Sequence, residues 1–127
     1  MIIGSTQSAD GDFRRIPIRH THIVDEITKK NIIEFLKKEA FQKCQNSDWV
    51  GASDLFPNIP NDIFGTPLEV IYDLCSERFA NQPNSININM SKYLGILVRE
   101  AIYYSDVKYY EQMDGSVRRY RLAPKNI

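Results

Sequence analysis

The sequence predicts one mainly helical α+β domain that ends in a β-hairpin, and three observations carry that expectation. Apolar residues recur at three- and four-residue steps in segments 26–43, 67–79 and 90–104. Near the C-terminus, Asp114-Gly115 separates two short β-patterned segments. The chain has 127 residues, of which 43% are hydrophobic and 25% charged. That length makes one ordinary domain, and that composition is globular.

Residues 1–12, rich in Ser, Asp, Gly and Gln, read as mobile. In 13–24, Ile16 and Ile18 alternate with Arg15, Pro17 and Arg19, the pattern of an extended arm. Pro17 confines it to a sheet edge or a non-strand. Together, 1–25 form an N-terminal arm, 26–123 the domain and 124–127 a tail.

The first helix spans Glu26 to about Lys43. Ile32, Ile33, Leu36, Ala40 and Phe41 form its apolar face. Thr28 is the expected N-cap, and Lys29, Lys30, Lys37 and Lys38 the solvated side. Trp49 and Val50 then offer one strand rung. A helical turn capped by Ser53 follows, and Pro57 and Pro60 end it. In 67–79, Pro67 suits a first helical turn after the cap Thr66, and Leu68, Ile71, Tyr72, Cys75 and Phe79 make the stripe. Residues 80–87 read as a loop.

The helix 90–104, capped by Ser91 or Asn89, buries Leu94, Leu97, Val98, Ala101 and Ile102. Its opposite face carries Lys92, Ile96, Arg99 and Tyr103. In the hairpin, an Asp114-Gly115 loop pairs Met113 with Ser116, Glu111 with Arg118, Tyr109 with Tyr120 and Val107 with Leu122. The other face pairs Lys108 with Arg121, Tyr110 with Arg119 and Gln112 with Val117. Tyr104, Tyr109 and Tyr120 are expected to pack the hairpin onto the helices, leaving Tyr103 and Tyr110 for contacts outside.

The formal net charge of zero hides a partition. Residues 1–43 carry +2, residues 44–89 carry −5 and residues 90–127 carry +3. Binding depends on where charge sits rather than on its sum. Glu69, Asp73 and Glu77 share one helix face as an acidic ridge.

Other chemistry is poorly represented. His20 and His22 share a face but lack further ligands, and zinc sites need about three or four. No metal or cofactor is therefore expected. Nor does any catalytic or phosphate-loop motif occur, so no enzyme activity is expected. No apolar run reaches the roughly 18–20 residues of a membrane span, and MIIGSTQSADGDF has no export signal. A cytoplasmic protein with reduced Cys44 and Cys75 follows.

The order helix, short strand, helix, helix, hairpin resembles a winged helix, a helix-turn-helix variant with a β wing. The resemblance covers about residues 26–123 and rests on WVGASDLF, MSKYLGILVREA and the hairpin ending RRYRL. It is loosely similar to the winged helices appended to phage and plasmid primase-helicases. The longer loop between the later helices and the insertion FPNIPNDIFG depart from the pattern.

The resemblance implies a non-catalytic DNA-binding protein, a transcription regulator or replication accessory factor. Helix 90–104 would enter double-stranded DNA as recognition helix, with Ser91, Lys92, Arg99 and Tyr103 as contacts. The wing, 107–122, would add Lys108, Tyr110, Arg118, Arg119 and Arg121. The long first helix and the arm suit a homodimer. The alternative is a winged-helix protein-interaction module that uses the acidic helix 67–79 and Phe56, Ile59 and Phe64 of the insertion. A third reading makes the acidic middle a DNA mimic.

Overall fold

The computed structural model describes residues 1–7, 18–115 and 117–125. The expected alternation at Arg15, Ile16 and Pro17 and the pairing at Ser116 lie outside those residues. The elements are β1 (Ile2–Gln7), α1 (Glu26–Asn46), α2 (Ala52–Leu55), a 3-10 turn (Asn61–Ile63), α3 (Glu69–Arg78), α4 (Pro83–Tyr103), β2 (Tyr109–Asp114) and β3 (Val117–Leu122). The described chain is thus mainly helical with one small three-stranded sheet, an α+β arrangement. Among the described residues no helix is long and apolar enough to cross a membrane.

Helix α1 starts on Asp25, not Thr28. The Asp25 carboxylate accepts from the Thr28 amide at 2.7 Å, satisfying one of the amides that a helix start leaves without a partner. Ile32, Ile33, Leu36 and Ala40 are buried as expected, whereas Phe41 is only half-buried and Cys44, one turn beyond Ala40, is buried instead. Lys29, expected in solvent, is also buried. Its ammonium meets Glu100 of α4 at 2.9 Å, and that pairing draws it inward.

Val50 forms the expected single rung. It exchanges two backbone hydrogen bonds, both 2.8 Å, with Tyr120 of β3. Gly51 follows as the N-cap of α2 in place of Ser53, and its amide donates to Asp54 Oδ2 at 2.7 Å. Phe56, expected in an exposed insertion, is buried in the core beside Val50, Ile63 and Leu68. Thr66 does organise the entry to α3, accepting from the Leu68 amide at 3.2 Å. The helix nevertheless begins at Glu69, so Pro67 precedes it.

The largest correction concerns α4. Residues 83–87 are not loop; the helix begins at Pro83, a proline compatible with a first turn because its missing N–H has no helical partner there. Ser91 and Asn89 therefore lie inside the helix and cap nothing. Asn89 instead donates to the Ser85 carbonyl oxygen at 2.8 Å. Leu94, Leu97, Val98, Ala101 and Ile102 are all buried, as expected.

Residues 2–7 form a strand rather than a mobile tail. β1 runs parallel to β2 at the edge of the sheet, in the order β1-β2-β3. A Cβ on Gly4 would stand 3.2 Å from the Tyr110 ring, so glycine permits that close approach. The Met1 nitrogen donates to the carbonyl oxygens of Ile102, Ser105 and Val107, where α4 gives way to β2.

The hairpin forms in a register two residues from the expected one. Asp114 pairs with Val117, Met113 with Arg118, Glu111 with Tyr120 and Tyr109 with Leu122. Gly115, at φ +63°, is the first of the two loop residues. Primed hairpin turns need positive φ there, and glycine meets the demand without a Cβ clash, whereas the expected loop put Asp114 in that place. An even shift preserves the faces, so Tyr109, Glu111 and Tyr120 still point into the core.

Two outcomes test these local accounts. A Cβ on Gly51 would sit 3.0 Å from the Arg118 carbonyl oxygen. Gly51→Ala should therefore destabilise by about 1–3 kcal/mol in chemical denaturation, by forcing β3 away from Val50. For Asp25, the hydrogen bond donated by the Thr28 backbone amide holds the carboxyl below its ordinary value of 3.8. Its capping contribution is thus full above that value and lost as pH falls through the lower folded one. Asp25→Ala should lower the melting temperature at neutral pH, and the gap to the parent should close in acid.

Candidate functional site

The side chains that join α4 to the hairpin define the most built region of the molecule. Glu111 is 1% exposed. Its Oε1 accepts from Arg99 Nε at 3.1 Å and from Arg118 Nη1 at 3.0 Å. Its Oε2 accepts from Arg99 Nη2 at 3.4 Å. A buried carboxylate is tolerated only when paired and hydrogen-bonded, and here a guanidinium from each element does so. The two-residue register shift makes Glu111 and Arg118 diagonal neighbours, and their expected bridge survives it.

This arrangement overturns the outward placement of Arg99. The residue is 8% exposed, because the hairpin folds over that side of α4. Helical periodicity assigned Arg99 correctly to the face opposite Leu94 and Val98. It could not show that a second layer covers part of that face.

Where the cover stops, a groove opens. It has a volume of about 940 Å³ and lies between α4, the tip half of the hairpin and the turn after α2. Gly95, Ile96 and Arg99 line it from α4, and Met113, Val117 and Arg118 from the hairpin. Phe56, Pro57 and Ile59 supply the third wall. Lys92, Ser91, Asn87, Ser53 and Arg19 add polar side chains. No Asp or Glu lines it among the described residues. The acidic middle of the chain therefore leaves this surface cationic and apolar.

The structure divides the sequence-selected residues into two groups. Ser91, Lys92, Arg99 and Arg118 border the groove. Ser91 offers a hydroxyl there but no free amide, since it lies within α4. Tyr110, Arg119 and Arg121 alternate with the core-facing residues and occupy the other side of the sheet. Lys108, just before β2, is exposed. Arg121 pairs with Asp48 at 3.0 Å and stands 5.9 Å from the Trp49 ring centroid. Arg119 is exposed, and Tyr103 is half-buried against Tyr104 at the far end of α4.

Tyr109 and Tyr120 are core residues, as expected, whereas Tyr104 is 50% exposed and lies against the rings of Tyr103 and His20 instead of in the core. Burial pushes both core phenols well above their ordinary ionisation range. It also pushes the Cys44 thiol up to about 11 and raises Cys75, so both unpaired cysteines stay protonated and unreactive. His20 Nδ1 lies 2.8 Å from Glu100 Oε1, the oxygen that also meets Lys29. No cluster of three or more His, Cys, Asp or Glu that could hold a metal occurs among the described residues.

Sequence reasoning missed Arg19, Gly95 and Val117 as parts of one surface. Gly95 carried a local signal, an isolated glycine in a helical pattern. The others become neighbours only in the tertiary structure. Comparison with family models, with curated proteins and with solved structures gives no match for this chain.

The Glu111 cluster makes a sharp prediction. Glu111→Ala leaves Arg99 buried without its carboxylate and should destabilise by about 3–5 kcal/mol in denaturant titration. Arg119→Ala, on the exposed side of the same strand, should change stability by less than about 0.5 kcal/mol.

Proposed function

We propose that this is a non-catalytic DNA-binding protein of winged-helix form, acting as a regulator or replication accessory factor. In this reading α4 is the recognition helix and the β2–β3 hairpin is the wing. The observation that carries it is the groove where α4 meets the hairpin, bordered by Arg19, Lys92, Arg99 and Arg118 with no Asp or Glu in its lining among the described residues, in a molecule whose charges sum to zero. The Val50–Tyr120 rung supports it too, since it ties the short strand after the first helix to the wing as that form requires.

The residue roles change from those the helical pattern implied. Lys92, Arg118 and Arg119 remain contacts for phosphates or base edges. Arg99 becomes a positioning residue that fixes the wing against α4 through Glu111. Ser91 contributes a hydroxyl hydrogen bond from the helix side, and Tyr103 a phenol near the helix end. Lys108, Tyr110 and Arg121 extend the cationic surface along the outer side of the sheet.

A second reading has its own observation. Phe64 is 46% exposed and Val70 37%, on the segment that carries Glu69, Asp73 and Glu77. Apolar groups left in water beside an acidic ridge suit contact with a basic protein partner. This is the interaction-module alternative, now without Phe56, which the core has claimed.

Duplex titration separates the two. The parent should bind DNA with an affinity that falls steeply as salt rises. Lys92→Ala combined with Arg119→Ala should reduce the log–log salt slope by about two, one for each lost phosphate contact. Absence of duplex binding at low salt would refute the DNA reading and leave the acidic ridge as the functional surface.

A further inference from the structure

We propose that the groove between α4 and the hairpin is a docking site for a partner protein's acidic amphipathic segment, bound as a helix. The proposal goes beyond DNA binding: it shares Ser91, Lys92 and Arg118 with that reading but places a protein occupant in the concave interior between them.

Three observations select that occupant. The first is charge. Arg19, Lys92, Arg99 and Arg118 border the groove, the last two sharing the single carboxylate of Glu111, and no Asp or Glu lines it among the described residues, so its net positive charge selects an anionic occupant. The second is the kind of apolar surface. The two aromatic rings in the lining, Phe56 and Tyr120, are 5% and 2% exposed and present no open face. What remains accessible is aliphatic or thioether: Ile59, Ile96, Met113 and Val117, the last 45% exposed. An unpaired nucleotide base would need a flat ring to stack on. Leucine-like side chains at helical spacing fit an aliphatic and methionine-lined trough instead.

The third observation is Gly95. It lies mid-helix in α4, its φ is not positive, and a Cβ there would meet nothing within 4 Å. Glycine lowers helix stability, and nothing in the fold of this chain requires one at that place. It does lie on the groove wall, between Lys92 and Arg99. A missing side chain there lets the backbone of a bound helix come close to α4.

The groove volume of about 940 Å³ lies near the upper end of the range for ligand pockets, enough for a few apolar anchors. Acidic residues flanking those anchors would then reach Lys92 and Arg118.

The test is selection from a displayed library of random 16-residue peptides, followed by anisotropy titration of the synthetic winners and of a 12-nucleotide oligothymidylate. The expected winners carry apolar residues at three- and four-residue spacing with Asp or Glu beside them. Their affinity should fall at least tenfold with Gly95→Leu and with Lys92→Glu, and replacing their acidic residues by Gln should have a similar effect. Melting curves guard against misfolding: Gly95→Leu and Gly95→Ala should melt no lower than the parent. No enrichment, winners without acidic residues, or winners indifferent to Gly95→Leu would each overturn the proposal. So would oligothymidylate binding that the same variants abolish while no peptide responds to them.

Discussion

The carboxylate of Glu111 is shared between a guanidinium on α4 and one on β3, and the relation between helix and hairpin depends on that sharing. A lone carboxylate so deeply buried costs several kcal/mol, and so does a guanidinium without its partner. The three groups are therefore acceptable only together. Their joint geometry sets how far the hairpin folds over α4. Closer contact would fill the groove with side chains, and a looser one would expose the carboxylate.

Other features align with this constraint. Gly51 allows β3 to approach within van der Waals reach, so the Val50–Tyr120 rung forms beside the cluster. β1 braces β2 from the opposite edge, where Gly4 admits the Tyr110 ring. A second buried carboxylate, Glu100, repeats the device one residue along α4 by meeting Lys29 of α1. Consecutive residues on α4 thus point to different neighbours, Arg99 to the hairpin and Glu100 to the first helix. That holds the C-terminal half of α4 on several sides, while its N-terminal half, with Ile88 68% exposed, and the stretch around Lys92 stay open.

Charge follows the same division. The acidic residues of α3 do not line the groove, whereas Arg19, Lys92, Arg99 and Arg118 border it. A neutral chain thereby carries a groove bordered by cations in one place and acidic side chains elsewhere. The shared preference for anions unites the duplex reading and the peptide-docking proposal, while the shape and aliphatic lining of the groove distinguish them.

The sequence by itself determined the helices that bury Ile32, Leu36, Ile71, Leu94, Leu97 and Ile102, because a stripe of apolar residues at helical spacing has few other solutions. It determined the hairpin and its two faces, since alternation survives an even register shift. It also located the cationic C-terminal third. Only the tertiary structure decided that residues 2–7 are a strand, for IIGSTQ carries little strand signal and owes its conformation to β2. The register came from the φ requirement of the loop, which glycine meets more cheaply than aspartate. Burial of Arg99 and Lys29 was likewise invisible in the chain. A charged residue on a polar-looking face is inside or outside according to whether another element brings a carboxylate to meet it, and that partner lies 12 residues from Arg99 and 71 from Lys29 along the chain.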